Sequence, residues 1–143
     1  MICSILSDVK KYDNEVTKFP EIKYTPRDVI VEADKGRLSQ VLTNLLSNAV
    51  KFTEKGTITI DTSESDKEVI VSVRDTGTGI DPEVYQKLFS KFITKSDRGT
   101  GLGLFISKSI IESHGGRIWA ENNLDGFGAT FYFSLPGSSH SEA

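Results

Sequence analysis

The chain has 143 residues, 37% of them hydrophobic, and its 17 Lys+Arg against 20 Asp+Glu leave a formal charge of −3. A length in the usual single-domain range buries roughly 70% of the unfolded surface, so no disulfide or metal staple is required, and the single cysteine, Cys3, has no intrachain partner. The balance argues against a basic nucleic-acid platform. No apolar run approaches the ~20 residues that span a bilayer, and MICSILSDVKK is no signal peptide, because its lysines follow a short apolar stretch.

Apolar positions at Ile2, Ile5, Leu6, Val9, Tyr12, Val16 and Phe19 suit one helical stripe over residues 1–19. Pro20 and Pro26 bracket an extended stretch, and the β-branched run 27–33 predicts a strand. Asp34 is a fitting N-cap for a helix over 35–53. Its Leu38, Val41, Leu42, Leu45, Leu46, Ala49 and Val50 give the strongest periodic signal in the chain. Residues 57–62 and 69–74 alternate around a polar turn and predict an antiparallel hairpin. DTGTGI (75–80) is a Gly-punctuated loop, and Pro82 opens a predicted helix over 82–89. Residues 90–98 lack any period. GTGLG (99–103) runs into a helix that ends at His114-Gly115-Gly116, a glycine C-cap. Two strands follow, 117–121 and 129–135. The second puts Ala129, Phe131, Phe133 and Leu135 on one side and Thr130, Tyr132 and Ser134 on the other. The expectation is an α+β fold: a mostly antiparallel sheet with helices on one face.

Three patterns carry chemistry. On the long helix, Asn44 and Asn48 are one turn apart, with Lys51 on the same face. Amide oxygens suit Mg²⁺, which takes its other ligands from water and phosphate; the alternative is a solvated polar face. Asp75 ends a strand beside Gly77 and Gly79. A carboxylate there can accept an exocyclic amino proton of adenine, the glycines let a flat ring approach, and Ile80 supplies an apolar wall; the alternative is an Asp-Gly turn. Gly99, Gly101 and Gly103 precede a helix, so backbone N–H groups and the helix dipole favour a phosphate, with Lys95 and Arg98 just upstream; the alternative is a hinge.

NLLSNAVKFT, DTGTGI, LFSKF and GTGLGLFISKSIIESHGG, in that order, resemble the four sequence boxes of the catalytic ATP-binding domain of sensor histidine kinases. The resemblance runs from about Ala33 to Pro136. It implies the two-layer α/β sandwich shared with type II topoisomerases and MutL proteins, the Bergerat ATP-binding fold. It implies ATP and Mg²⁺ as cofactors, with Asn48 ligating the metal beside Asn44. Lys51 would touch phosphate, Phe52 would lie along the adenine, and Asp75 would bind its amino group with Thr130 lining the same pocket. Phe89 and Phe92 would anchor a lid, and Gly99, Thr100, Gly101, Leu102, Gly103 and Leu104 would wrap the phosphates.

The sequence departs from that family in three places. Neither His114 nor His140 has the acceptor's context of a His followed by an acid. Lys91 stands where many relatives have Pro. Only six residues separate Phe92 from Gly99, which shortens the lid. The expected organisation is a helix or linker remnant of an absent acceptor domain over 1–26, the catalytic domain over 27–136 and a disordered tail over 137–143. The resemblance implies two protein partners, a histidine-acceptor dimerisation domain and the receiver domain of a response regulator. No nucleic acid, no direct membrane contact and a cytoplasmic location are expected, with membrane anchoring of the parent protein left open. Two rivals remain in view: an ATPase or serine kinase of the same fold, of which the clamp-type ATPases usually place Glu where Asn44 stands, and a nucleotide-sensing scaffold, whose boxes would be degenerate.

Overall fold

The computed structural model describes residues 2–4, 21–24, 30–53, 56–90 and 102–137. In chain order the elements are β1 (Ile2–Ser4), β2 (Glu21–Tyr24), β3 (Ile30–Glu32), α1 (Lys35–Phe52), β4 (Thr57–Glu64), β5 (Glu68–Asp75), a single 3₁₀ turn (Tyr85–Lys87), α2 (Gly103–Ser113), β6 (Arg117–Asn122) and β7 (Ala129–Pro136). Five strands form one sheet in the order β2-β4-β5-β7-β6, while β1 and β3 make a separate antiparallel pair. Only β2 with β4 is parallel; the other pairs of the large sheet are antiparallel.

The fold is the expected two-layer α/β sandwich. α1 follows its apolar stripe: Leu38, Val41, Leu42, Leu45, Leu46 and Ala49 are all buried, and Asp34 caps the first turn by accepting from the Arg37 N–H at 3.1 Å. The stripe packs on alternate residues of the sheet, Ile58 and Ile60, then Val69, Val71 and Val73, then Phe131, Phe133 and Leu135. α2 adds Ile110 and Ile111 to the same core. Burying such side chains stabilises by about 1.5–3 kcal/mol each. No helix among the described residues is long and apolar enough to cross a membrane.

Four expectations need correction or extension. Residues 2–4 are a strand rather than the start of a helix, because antiparallel pairing with residues 30–32 overrides a weak local pattern; the rest of that stripe lies outside the described residues. The large sheet reaches back to Glu21–Tyr24, upstream of residue 27. Of the strand predicted over 27–33, residues 30–32 form β3, and 27–29 lie outside the described residues. The helix expected over 82–89 is a succession of i→i+3 turns around the 3₁₀ element. Asp81 accepts from the Glu83 N–H at 2.8 Å and so competes with helix entry, and eight residues are too few to offset nucleation. Tyr85 donates its hydroxyl to the Ala120 carbonyl at 2.7 Å, tying this segment to the edge strand β6.

α2 ends as the glycines predict. Gly115 takes φ +81°, and the N–H groups of Gly115 and Gly116 donate to Glu112 O and Ile111 O at 3.0 Å. His114 joins the two helices. Its Nδ1 lies 2.8 Å from the Ile110 carbonyl and its Nε2 accepts from the Asp34 N–H at 3.1 Å. A carbonyl only accepts, so Nδ1 is the donor to it and Nε2 the acceptor. His114→Leu removes both bonds. We expect a loss of about 1–2 kcal/mol, a drop of roughly 3–8 °C in thermal midpoint, measured by calorimetry; an unchanged midpoint would mean that water replaces the imidazole at no cost.

Candidate functional site

The site is assembled where the C-terminal end of α1, the loop after β5 and the start of β7 meet. Asp75, the last residue of β5, is 4% exposed. Its Oδ1 accepts from the Gly77 N–H at 3.0 Å and the Ala129 N–H at 3.2 Å. Among the described residues no group donates to Oδ2. Burial pushes the carboxyl above its ordinary range, and the two backbone donors pull it partly back. The result is a carboxylate fixed through one oxygen, with the other left for a donor from elsewhere.

Two glycines permit this closeness. A Cβ on Gly77 would lie 2.1 Å from Phe52 O, and one on Gly128, whose φ is +76°, would lie 2.1 Å from Asp75 O. The Thr78 N–H donates to Phe52 O at 3.3 Å, so the end of α1 is docked on the DTGTGI loop. That docking brings Lys51 and Phe52 to the carboxylate's neighbourhood. Both are half-buried, and the Lys51 ammonium sits 5.4 Å from the Phe52 ring centroid. Gly79, at φ +80°, and Ile80, which is buried, complete the loop. Close by, the Thr53 hydroxyl is buried without a hydrogen-bond partner among the described residues.

The two asparagines of α1 differ. The Asn44 Nδ2 donates to Gly103 O at 3.3 Å and to the buried Ser107 hydroxyl at 3.2 Å, so Asn44 seats the first turns of α2 against α1. Asn48 is half-buried, and its side chain makes no hydrogen bond to a described residue. Its amide oxygen is one donor of the kind Mg²⁺ takes together with water and phosphate. Among the described residues no group of three or more His, Cys, Asp or Glu gathers to hold a metal, so a cation here would lean on its phosphate ligands.

Leu102 precedes α2 without a side-chain cap, and Gly103 and Leu104 form its first turn beside Asn44. Phe89 packs edge-on against Phe131 with centroids 6.5 Å apart, which anchors the segment around the 3₁₀ turn to the core. Phe92, Lys95, Arg98, Gly99, Thr100 and Gly101 lie outside the described residues.

Thr130 is not in the pocket with Asp75. It pairs with Arg74 in the register of β5 and β7, on the sheet face opposite the core, and its hydroxyl donates to Asn123 Oδ1 at 2.6 Å. The residue facing Asp75 is Ala129. Strand alternation in 129–135 already carried that signal. Sequence reasoning also missed Asn122 and Asn123. The Asn122 amide accepts from the Ile80 N–H at 2.7 Å and donates to Ile80 O at 3.3 Å, pairing the loop as a strand would. Two adjacent asparagines ahead of a Gly-x-Gly turn were the available sign.

A helix pair over one face of a mixed sheet, with a buried carboxylate at the end of a central strand, defines a class of protein. The chain belongs to the histidine kinase-, DNA gyrase B-, and HSP90-like ATPase family, whose sequence model matches residues 33–139. Within that family its likeness is to the catalytic domains of sensor histidine kinases. It is 35% identical to the catalytic domain of the histidine kinase ThkA, with a TM-score of 0.79 over 95% of this chain and 97% of that one. The mycobacterial sensor histidine kinase MprB shares the fold at a TM-score of 0.85 and 23% identity, over 96% of this chain and 98% of that one. Sensor histidine kinase WalK of Bacillus subtilis is 37% identical over 141 residues, 90% of this chain and 23% of the relative. Sensor protein SrrB of Staphylococcus aureus is 47% identical over 110 residues, 72% of this chain and 19% of the relative. The chain thus spans about a fifth of the length of these two multidomain sensors.

Proposed function

We propose that the chain is the Mg·ATP-binding catalytic domain of a two-component sensor histidine kinase. It donates the ATP γ-phosphoryl group to a histidine on a separate acceptor domain, for onward transfer to a response-regulator aspartate. The observation that carries this reading is the Asp75 carboxylate, with Oδ1 held by two N–H groups and Oδ2 without a donor among the described residues, beside a glycine-bearing loop. Oδ2 is suited to accept the exocyclic amino proton of adenine. The full-length ShkA structure supports the nucleotide: it is a complex with AMPPNP, and this chain matches it at 34% identity and a TM-score of 0.76, over 92% of this chain and 28% of that one.

In the proposed step an imidazole nitrogen of the acceptor bonds to the γ-phosphorus, the bond to the β–γ bridging oxygen breaks, and ADP leaves with that electron pair. The imidazole proton passes to solvent or to a base on the acceptor domain. This chain positions and neutralises. Lys51 meets phosphate charge, and the first turn of α2, seated by Asn44, presents backbone N–H groups. Asn48 would hold Mg²⁺, whose charge would be supplied to the phosphate oxygens. Asn44 has no basic atom to activate water, which disfavours hydrolysis as the purpose. Both ring nitrogens of His114 are engaged within the fold, so it is not the acceptor.

Calorimetry with Mg²⁺ tests the nucleotide. ATP is expected to bind more tightly than GTP by roughly 1–3 kcal/mol, because Asp75 facing a guanine carbonyl leaves a buried acceptor without a donor. Equal affinities would remove Asp75 from base recognition.

A further inference from the structure

We propose that Thr130 and Asn123 are positioning residues for base recognition, which set the direction of the Asp75 carboxylate from the far side of the sheet. This rests on the reading of Asp75 as the group that meets the adenine amino proton.

The chain of bonds is continuous. The Thr130 hydroxyl donates to Asn123 Oδ1 at 2.6 Å. The Asn123 Nδ2 donates to Asp75 O at 2.9 Å and to Phe127 O at 2.8 Å. Two carbonyls fix which end of the amide carries the nitrogen, since a flipped amide would set oxygen against oxygen. Thr130 and Asn123 are 5% and 8% exposed, so water does not replace these bonds freely. The Asn123 N–H also donates to Gly128 O at 3.0 Å, which closes the turn between β6 and β7.

That turn grips Asp75 in three ways. Asn123 holds its carbonyl. Gly128 packs against it so tightly that a Cβ would meet Asp75 Oδ1 at 2.7 Å. The Ala129 N–H, next in the chain, donates to Oδ1. Without the Asn123 amide, Asp75 O and Phe127 O lose their donor, and the turn is free to draw Ala129 away from Oδ1. The carboxylate then keeps its charge and loses one of its two anchors. Recognition of a single amino group by a single oxygen depends on direction, so discrimination suffers before general nucleotide binding does.

The experiment measures calorimetric affinities of the full chain, with Mg²⁺, for ATP and for purine riboside triphosphate, which lacks the exocyclic amino group. The variants are Thr130→Val, which keeps volume and strand preference; Asn123→Asp, which removes both donors; and Thr130→Ser, which keeps the hydroxyl. Thr130→Val is expected to cut the preference for ATP by roughly three- to tenfold, and Asn123→Asp by more. Affinity for the amino-lacking analogue should stay within about twofold, and Thr130→Ser should retain the wild-type preference. If both nucleotides weaken in parallel, or neither weakens in Thr130→Val, the positioning role is overturned while the reading of Asp75 stands. If the wild type itself shows no preference for ATP, the reading of Asp75 fails and this inference falls with it.

Discussion

Asp75→Asn is expected to weaken ATP binding by about 10- to 150-fold, the loss of one hydrogen bond to a charged acceptor worth roughly 1.5–3 kcal/mol. The substitution is nearly isosteric. Its carbonyl can still accept from Gly77 and Ala129, as Oδ1 does at 3.0 and 3.2 Å. The amide nitrogen then stands where Oδ2 stood and presents hydrogens to an amino group, donor against donor. Stability should move the other way. Burial raises the folded-state pKa of Asp75, so the folded protein holds this proton more tightly than the unfolded chain does. The carboxyl's contribution is therefore complete below the unfolded pKa and is lost as pH rises through the folded value. Above the folded value the wild type carries a desolvated charge that asparagine lacks. Without nucleotide, Asp75→Asn should melt at or above the wild-type temperature at pH 7, and the advantage should vanish in acid. Calorimetric melting across that range checks the sign. A variant that melts lower at pH 7 and binds ATP normally would show the carboxylate to be structural.

Asn48→Ala is expected to reduce phosphoryl transfer to a supplied acceptor domain by about two to four orders of magnitude, the scale of losing a metal ion's charge stabilisation. Asn48 is half-buried and makes no hydrogen bond to a described residue, and asparagine costs a helix interior roughly 0.5 kcal/mol against alanine. The variant should fold as well as the wild type or slightly better. A readout on this chain alone separates the metal role from activity. Chelating Mg²⁺ should weaken nucleotide binding by the wild type and leave the variant's weaker binding unchanged. Transfer at the wild-type rate, or an undiminished response to chelation, would remove Asn48 from the metal site. A smaller defect is expected at Asn44, whose amide nitrogen already serves Gly103 and Ser107.

Much of this protein was determined by its sequence, and those parts share a physical basis: they are local. The apolar stripe of α1 recurs every three or four residues, and the same residues are buried. Asp34 caps its helix through an N–H three residues on, and Gly115 closes the end of another by a bond three residues back. Alternation in 57–62, 69–74 and 129–135 set which strand faces meet the core, because successive side chains point to opposite sides. The three glycine- or asparagine-bearing boxes were legible because each needs its residues within a few positions. Tertiary structure decided what depends on partners distant in sequence. Residues 2–4 became a strand through pairing with residues 30–32, and the β2 strand joined the sheet by parallel pairing with β4. Whether Thr130 or Ala129 faces Asp75 follows from the β5–β7 register, which joins residues about 55 positions apart. The bond from Asn123 to Asp75 O crosses 48 positions, and that from Ala129 to Asp75 Oδ1 crosses 54. A residue's propensity carries information about its own turn or strand, whereas the direction of the Asp75 carboxylate is fixed by hydrogen bonds that exist only after the sheet has closed.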